Sequence, residues 1–334
     1  MAQLMVSTSE AYCRPAIDGV RDRFGSDVRI ERIAADVFLA TAPTLAAASF
    51  AAACADVPMP FIRHVTELIA RAPAGDEHAI EQAVRSVIAD ADAGIAVQAW
   101  AADDLTTGWG PADAARLLSG VVRSTGRDAV RSGAAEVLSC FLTPRETLFG
   151  WNRTADSLSD WPGGRVRLSK GKQQVSRAEF KLEELAKVHP LRLPASGRAL
   201  DLGAAPGGWT RILRQYGLDV WAVDPADLDA RVVADRRVHH VTATADDFLR
   251  RTDQRFDVVV NDMRMDPERS AEIMVAAADR MHADATAVVT LKLGTTQVTP
   301  TLRASLAILR RAYDIEFVRQ LHHNRQEVTV VLRP

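Results

Sequence analysis

The chain has few cysteines, no long apolar run and no excess of positive charge in its 334 residues. Cys13, Cys54 and Cys140 lie far apart and form no CxxC pair. That argues against a disulfide framework or a cysteine-rich zinc site, and it suits a reducing cytoplasm. The most apolar stretch, around Phe38 to Val57, is rich in alanine and broken by Pro43, Asp56 and Pro58. It reads as a helix packed in a soluble core and not as a membrane span. The opening MAQLMVSTSEAYCRP lacks the basic start and apolar run of a secretory signal. A net charge of −2 and a pI near 6.5 do not fit a dedicated nucleic-acid coat protein, so any case for RNA rests on local charge. There is no internal repeat and no HExxH spacing. The adjacent pairs His239-His240 and His322-His323 point to opposite faces of a strand, so no metal is expected.

What is present is globular composition, 47% hydrophobic and 25% charged, in a length that suits two or three domains. Residues 1–60 read as a small α/β unit: a short strand ending at Ala11 to Arg14, a helix at Ile17 to Phe24, paired strands at Val28 to Ile33 and Asp36 to Thr41, and an alanine-rich helix from about Thr44. Residues 61–152 read as a second α/β unit. Its expected strands are Phe61 to Ile69, Gly94 to Ala101, Ala134 to Leu142 and Thr147 to Trp151, with helices at His78 to Ala89 and Ala112 to Val122. Residues 153–176 keep no period and read as a basic linker.

From residue 177 to 334 strands and helices alternate. The expected strands Ala199 to Leu202, Val220 to Val223, Val238 to Thr242, Phe256 to Asn261 and Thr286 to Leu293 are largely apolar, which implies a parallel sheet covered on both faces. Ile315 to Leu321 and Gln326 to Leu332, joined by the polar turn His322 to Arg325, would close it with an antiparallel strand.

The sharpest motif is Asp201-Leu202-Gly203-Ala204-Ala205-Pro206-Gly207-Gly208-Trp209-Thr210, between an apolar strand and a helix. In doubly wound sheets ligands bind beyond the C-terminal strand ends, and small residues there admit close backbone approach. Pro206 removes a backbone donor and makes a dinucleotide GxGxxG reading poor. Asp224 ends the next strand, where a carboxylate can accept from both hydroxyls of an adenosine ribose. Asp246 or Asp247 follows the third strand, near where an adenine edge would sit; each reads equally well as a helix cap. This context alone does not separate S-adenosylmethionine from a nucleotide.

The motif resembles the cofactor loop of the FtsJ-type RNA ribose 2′-O-methyltransferases, which use a Lys-Asp-Lys-Glu tetrad. Ser176-Arg177-Ala178-Glu179-Phe180-Lys181-Leu182 matches the family's SRxxFKL helix and supplies Lys181. Asp262 ends the fourth strand, Lys292 the fifth, and Glu327 opens the last strand after an arginine-bearing turn. The tail from Gln320 to Val330, Cys13-Arg14-Pro15 and the Trp161 to Arg167 segment are similar to the RlmM group, which methylates a cytidine ribose in 23S ribosomal RNA. The likeness is strong over about 161–334 and weak before that. It implies a Rossmann-like methyltransferase domain over 177–334 preceded by ferredoxin-like and THUMP-like RNA-binding units. It also implies S-adenosyl-L-methionine as cofactor, held by Asp201, Gly203, Ala204, Pro206, Gly207, Gly208, Trp209, Asp224, Asp246 and Asp262. The chain departs from the broader family at Asp262-Met263-Arg264-Met265, where the family reads DMAP, and in the segment after Lys292.

A ribose 2′-hydroxyl holds its proton well beyond neutral pH, so methyl transfer gains from a base in reach. Lysine can be that base only if its pKa falls, and burial and a second cation both push that way. The reading makes Lys292 the base, repelled by Lys181, with Asp262 and Glu327 holding both amines. Arg165, Arg167, Lys170, Lys172 and Arg177, together with Lys181, form a basic stripe interrupted only by Glu179. Such a stripe would hold RNA phosphates. Trp151 and Trp161 read better as core residues than as base-stacking platforms. The expected partner is RNA, 23S ribosomal RNA or an assembly intermediate, with a monomer or weak dimer left open. The alternatives are a 2′-O-methyltransferase on transfer RNA or another ribosomal site, and a non-catalytic RNA-binding protein of the same fold.

Overall fold

In a computed structural model the described residues are 2–43, 45–88, 94–106, 108–169, 171 and 174–334. They fall into two compact units, Met1–Val166 and Arg167–Pro334. Among the described residues no helix is long and apolar enough to cross a membrane.

The first unit runs β1 (Gln3–Ser7), α1 (Cys13–Phe24), β2 (Arg29–Arg32), β3 (Val37–Thr41), α2 (Ala47–Asp56), β4 (His64–Pro73), α3 (Glu77–Ile88), β5 (Ile95–Ala101), α4 (Pro111–Ser124), β6 (Ala129–Val130), β7 (Glu136–Leu142) and β8 (Glu146–Arg153). All eight strands join one sheet, ordered β2-β3-β1-β4-β8-β7-β5-β6. Strands on both sides of position 60 therefore pair directly, β1 with β4. The paired strands expected before residue 42 are β2 and β3, which run antiparallel.

The expected strand end at Ala11 to Arg14 is instead a turn and the start of α1; the first strand lies earlier, with Leu4, Met5 and Val6 all buried. Pro15 fits in α1, because proline is tolerated in a helix's first turn, where its missing N–H has no partner to lose. The expected ends at Thr44 and Ala89 lie outside the described residues. Part of the expected linker is packed into this unit. Gly163 and Gly164 are buried at positive φ, a Cβ on Gly163 would lie 2.8 Å from Trp100 Nε1, and Val166 is fully buried.

The second unit holds α5 (Glu179–Val188), β9 (Arg198–Leu202), α6 (Gly208–Gln215), β10 (Asp219–Val223), α7 (Ala230–Val233), β11 (Val238–Val241), α8 (Ala245–Arg251), β12 (Phe256–Asn261), α9 (Pro267–Ala278), β13 (Met281–Lys292), α10 (Val298–Leu309), β14 (Asp314–Arg319) and β15 (Glu327–Arg333). Its mixed seven-stranded sheet is ordered β11-β10-β9-β12-β13-β15-β14, with β15 antiparallel to both neighbours. The unbroken burial of Ala285 to Leu291 in β13 reflects a strand covered on both faces. The chain leaves β9 for β10 and β11, then returns to β12 on the other side of β9. That reversal opens a crevice at the C-terminal ends of β9 and β12, where open α/β sheets take ligands.

Candidate active site

A pocket of about 300 Å³ occupies that crevice, lined by Ser176, Ala178, Asp201, Gly203, Ala204, Ala205, Pro206, Gly208, Trp209 and Asp262. The loop after β9 turns through Gly203 (φ +74) and Gly207 (φ +105), conformations a side chain rarely adopts, and Gly207 caps α6. At Gly203 a Cβ would also lie 2.2 Å from Met263 Cγ, so the loop after β12 closes against it. A Cβ on Gly208 would sit 2.1 Å from Ser176 Oγ, so glycine there makes room for that hydroxyl. Ser176 Oγ is buried without a hydrogen-bond partner among the described residues. Trp209 Nε1 donates to Ala178 O at 2.7 Å, tying α6 to the start of α5.

Asp201 lies at the pocket floor, 1% exposed, accepting from Thr210 Oγ1 at 2.6 Å. Burial raises its pKa to about 7, opposed by the Thr210 bond and helped by the charges of Asp262 and Asp224. Asp224 accepts from Ala205 N (3.1 Å) and Ala226 N (2.8 Å), holding the loop from beneath. Asp246 does not line the pocket; it pairs with Arg269 at 2.6 Å in the first turn of α8, whose cap is Thr244.

Beside the pocket, Lys181, Asp262, Lys292 and Glu327 form a closed quartet. Lys181 Nζ lies 2.9 and 3.0 Å from the two Asp262 oxygens and 2.7 Å from Glu327 Oε1. Lys292 Nζ contacts Asp262 Oδ1 and Glu327 Oε2, and donates to Thr290 Oγ1 at 2.6 Å. The geometry follows from register: Lys292 and Glu327 are direct partners across β13 and β15, and Asp262 follows the adjacent β12. Burial pulls the Lys181 pKa down, but Asp262 and Glu327 outweigh it and the net shift is upward. Burial pushes Asp262 and Glu327 up, and the two lysines overcome it and hold both below the usual carboxylate range. At Lys181 the carboxylates thus win over burial, because each lysine touches both of them.

Three supports were not visible in the sequence reading. Glu179, fully buried, accepts from Val175 N (2.6 Å) and Ser176 N (3.2 Å), and pairs with Arg211 of α6 at 2.6 Å. It sets the pocket lip on which Ser176 stands. Glu184, 1% exposed on the same helix as Lys181, accepts from His322 N (2.6 Å), His323 N (2.8 Å) and His323 Nδ1 (2.6 Å). It fastens the turn that leads into Glu327. Asn324 in that turn donates to Glu327 Oε1 at 3.4 Å.

The basic stripe divides. Arg165 is spent on an ion pair with Asp36 at 2.6 Å in the first unit, whereas Arg167 and Arg177 are exposed. Lys170 and Lys172 lie outside the described residues. Trp151 packs against the first unit's core, and Trp161 opens the Pro162–Gly164 turn, whose two glycines are buried.

A mixed sheet in this strand order, with its glycine loop after the first strand and a pocket at the reversal, defines an α/β methyltransferase fold. A model of the FtsJ-like methyltransferase family matches residues 174–331. Three relatives are each named ribosomal RNA large subunit methyltransferase M. The one from Halorhodospira halophila is 36% identical over 52% of this chain and 51% of its own length. That from Alkalilimnicola ehrlichii is 38% identical over 47% and 44%. That from Xanthomonas oryzae pv. oryzae is 32% identical over 66% and 68%. The chain spans about half the length of the first two relatives. It belongs to the FtsJ-like methyltransferases and, within them, to the family of ribosomal RNA large subunit methyltransferase M.

Proposed function

We propose that the chain transfers a methyl group from S-adenosyl-L-methionine to a ribose 2′-hydroxyl of RNA in the cytoplasm, with a cytidine of 23S ribosomal RNA as the substrate. The observation that carries the reading is the buried Lys181-Asp262-Lys292-Glu327 quartet beside the glycine-loop pocket.

The pocket fits the cofactor on its own chemistry. Asp201 and Asp262 bring two carboxylates to a lining that would suit a sulfonium, and Ser176 Oγ is a buried hydroxyl in need of a partner. Ser176, Asp201, the 203–209 loop and Asp262 would hold it, and bound there it supplies an electrophilic methyl group. Asp262 serves both pocket and quartet. Because Asp262 lines the pocket and also pairs with both lysines, its carboxylate would hold their protons less firmly with a positively charged cofactor bound. Lys292, once it has given its own proton to solvent, takes the hydroxyl proton on its neutral amine. Lys181 stays charged, and Glu327 keeps both amines in place. Asp224 and Asp246 enter this reading as adenosine contacts, Asp246 only after releasing Arg269.

For the first unit we keep the ferredoxin-like (1–60) and THUMP-like (61–152) reading as a proposal. The order β1-α1-β2-β3-α2-β4 with strands arranged β2-β3-β1-β4 supports the first module, with β4 completing it.

The test is incubation of RNA lacking the modification with the protein and methyl-labelled S-adenosylmethionine, followed by nucleoside mass spectrometry. Label in 2′-O-methylcytidine is expected. Label on a base, or none in any ribose from protein that binds the cofactor, would overturn the reading.

A further inference from the structure

The quartet is electrically closed: two lysines face two carboxylates, so it has no spare positive charge for a polyanion. An RNA strand crossing the site must find its phosphate contacts outside it. Most arginines at this end of the sheet are committed, Arg231 to Asp229 and Arg269 to Asp246. Arg264 and Arg325 are not. Both are exposed, and neither side chain has a hydrogen bond or ion pair among the described residues. Arg264 stands two residues after Asp262, in the Asp262-Met263-Arg264-Met265 segment that departs from the family pattern. Arg325 stands two residues before Glu327.

Their placement follows from the sheet. The order β12-β13-β15 puts Lys292, at the end of β13, between the loop that carries Arg264 and the turn that carries Arg325. Neighbouring strands lie about 4.8 Å apart, so the ends of β12 and β15 flank Lys292 closely, and Arg264 and Arg325 stand in the loops that extend from those ends. Among other exposed arginines of this unit without side-chain partners among the described residues, Arg177 stands at the start of α5 beside the pocket, whereas Arg192, Arg236, Arg251 and Arg310 precede β9, β11, β12 and β14 and therefore sit at the opposite end of the sheet. What singles out Arg264 and Arg325 is this position. Guanidinium groups suit it, since they present a charged fork that matches phosphate oxygens.

We infer that Arg264 and Arg325 form a clamp that takes the phosphodiesters on either side of the target ribose and seats its 2′-hydroxyl over Lys292. The inference rests on the RNA methyltransferase reading above and adds the residues that orient the strand.

The full chain and its Arg264→Ala, Arg325→Ala, double and Arg236→Ala variants would be titrated with a fluorescein-labelled oligocytidine over a potassium chloride series. Retained S-adenosylmethionine binding checks that each folds. Each phosphate contact contributes about 0.7 to the slope of log K against log salt for single strands. The double variant is expected to lose about 1.4 of that slope, each single variant about half as much, and Arg236→Ala none. The clamp is overturned if the slopes of the Arg264 and Arg325 variants equal that of a wild type that binds and methylates RNA, or if Arg236→Ala loses as much. A wild type that neither binds nor methylates any RNA overturns the parent reading and the clamp with it.

Discussion

The two units handle polarity in opposite ways. Residues 1–166 contain 15 arginines, no lysine and 21 acidic residues, a net −6, whereas residues 167–334 contain 26 basic and 22 acidic residues, a net +4. The contrast deepens inside. Nearly all of the first unit's buried polar groups are neutral: His64, Thr66, Gln98, Ser139, Asn152 and Ser157. The second unit buries Glu179, Glu184, Asp201 and Glu327, with Lys181, Lys292 and Asp262 close behind. A buried charge is expensive unless it is paired and hydrogen-bonded, so a protein concentrates such groups where chemistry requires them. All five lysines of the chain lie in the second unit, and two of them are in the quartet. Arginine cannot give up its proton in a protein, so of the chain's two strongly basic side chains only lysine can serve as a base.

The sharpest way to break this contrast is Lys292→Arg. It keeps a cation between Asp262 and Glu327, but one that cannot give up its proton and so cannot become a base. Methyl transfer should fall by about 10²-fold or more, with cofactor binding retained. An arginine variant of near wild-type rate would make Lys292 a structural charge like those of the first unit.

Acidity separates the units next. Complete burial lowers the His64 pKa to about 4 in the first unit, whereas Asp201 in the second is raised to about 7. Unfolded His64 binds a proton below its ordinary value near 6.5, so the first unit loses stability as pH falls from about 6.5 toward 4. Unfolded Asp201 releases its proton near 3.8 while the folded form keeps it, so the second unit loses stability as pH rises from about 4 to 7. Each effect is on the order of 3 kcal/mol over its window. Calorimetric melts across pH should show His64→Gln flattening the acid limb and Asp201→Asn the neutral one. If neither variant alters the pH dependence, these burial effects are absent.

Glu184→Gln should come third. It leaves one carbonyl for three N–H groups of the 322–323 turn, at a cost of about 1–3 kcal/mol. Because that turn leads into Glu327, turnover should fall while cofactor affinity stays. A loss of cofactor affinity instead would mean that Glu184 supports the whole unit and not the turn.

Residues 177–334 were largely legible because local pattern and tertiary context agree there: apolar strands alternate with helices, and each quartet member sits at a strand or helix position that topology brings to one place. The quartet residues could be named by their match to the family's tetrad, and the glycine loop by its place between a strand and a helix; Ser176, Ala178 and Ala205 were not named as pocket lining. The buried roles of Glu179 and Glu184 could not be named either. On a helix rich in acids they read as surface charge, and the backbone groups that need Glu184 lie 138 and 139 residues away. In the first unit the strand Gln3–Ser7 is too short to show a period, and the segment around Gly163 and Gly164 packs through close glycine contacts that leave no periodic trace.

The basic stripe gives the smallest test. It looks continuous in sequence, but the structure assigns Arg165 to a partly buried pair with Asp36 and leaves Arg177 exposed at the start of the Lys181 helix. Arg165→Ala should therefore lower the stability of the first unit by about 1 kcal/mol, since it strands the Asp36 carboxylate, and should leave RNA affinity unchanged. Arg177→Ala should do the reverse, weakening RNA binding several-fold at low salt with no change in the melting temperature. Melting curves and RNA titrations on the two variants decide it. Equal loss of RNA affinity in both would mean that the stripe acts as one electrostatic surface and that the Asp36 pair opens when RNA arrives.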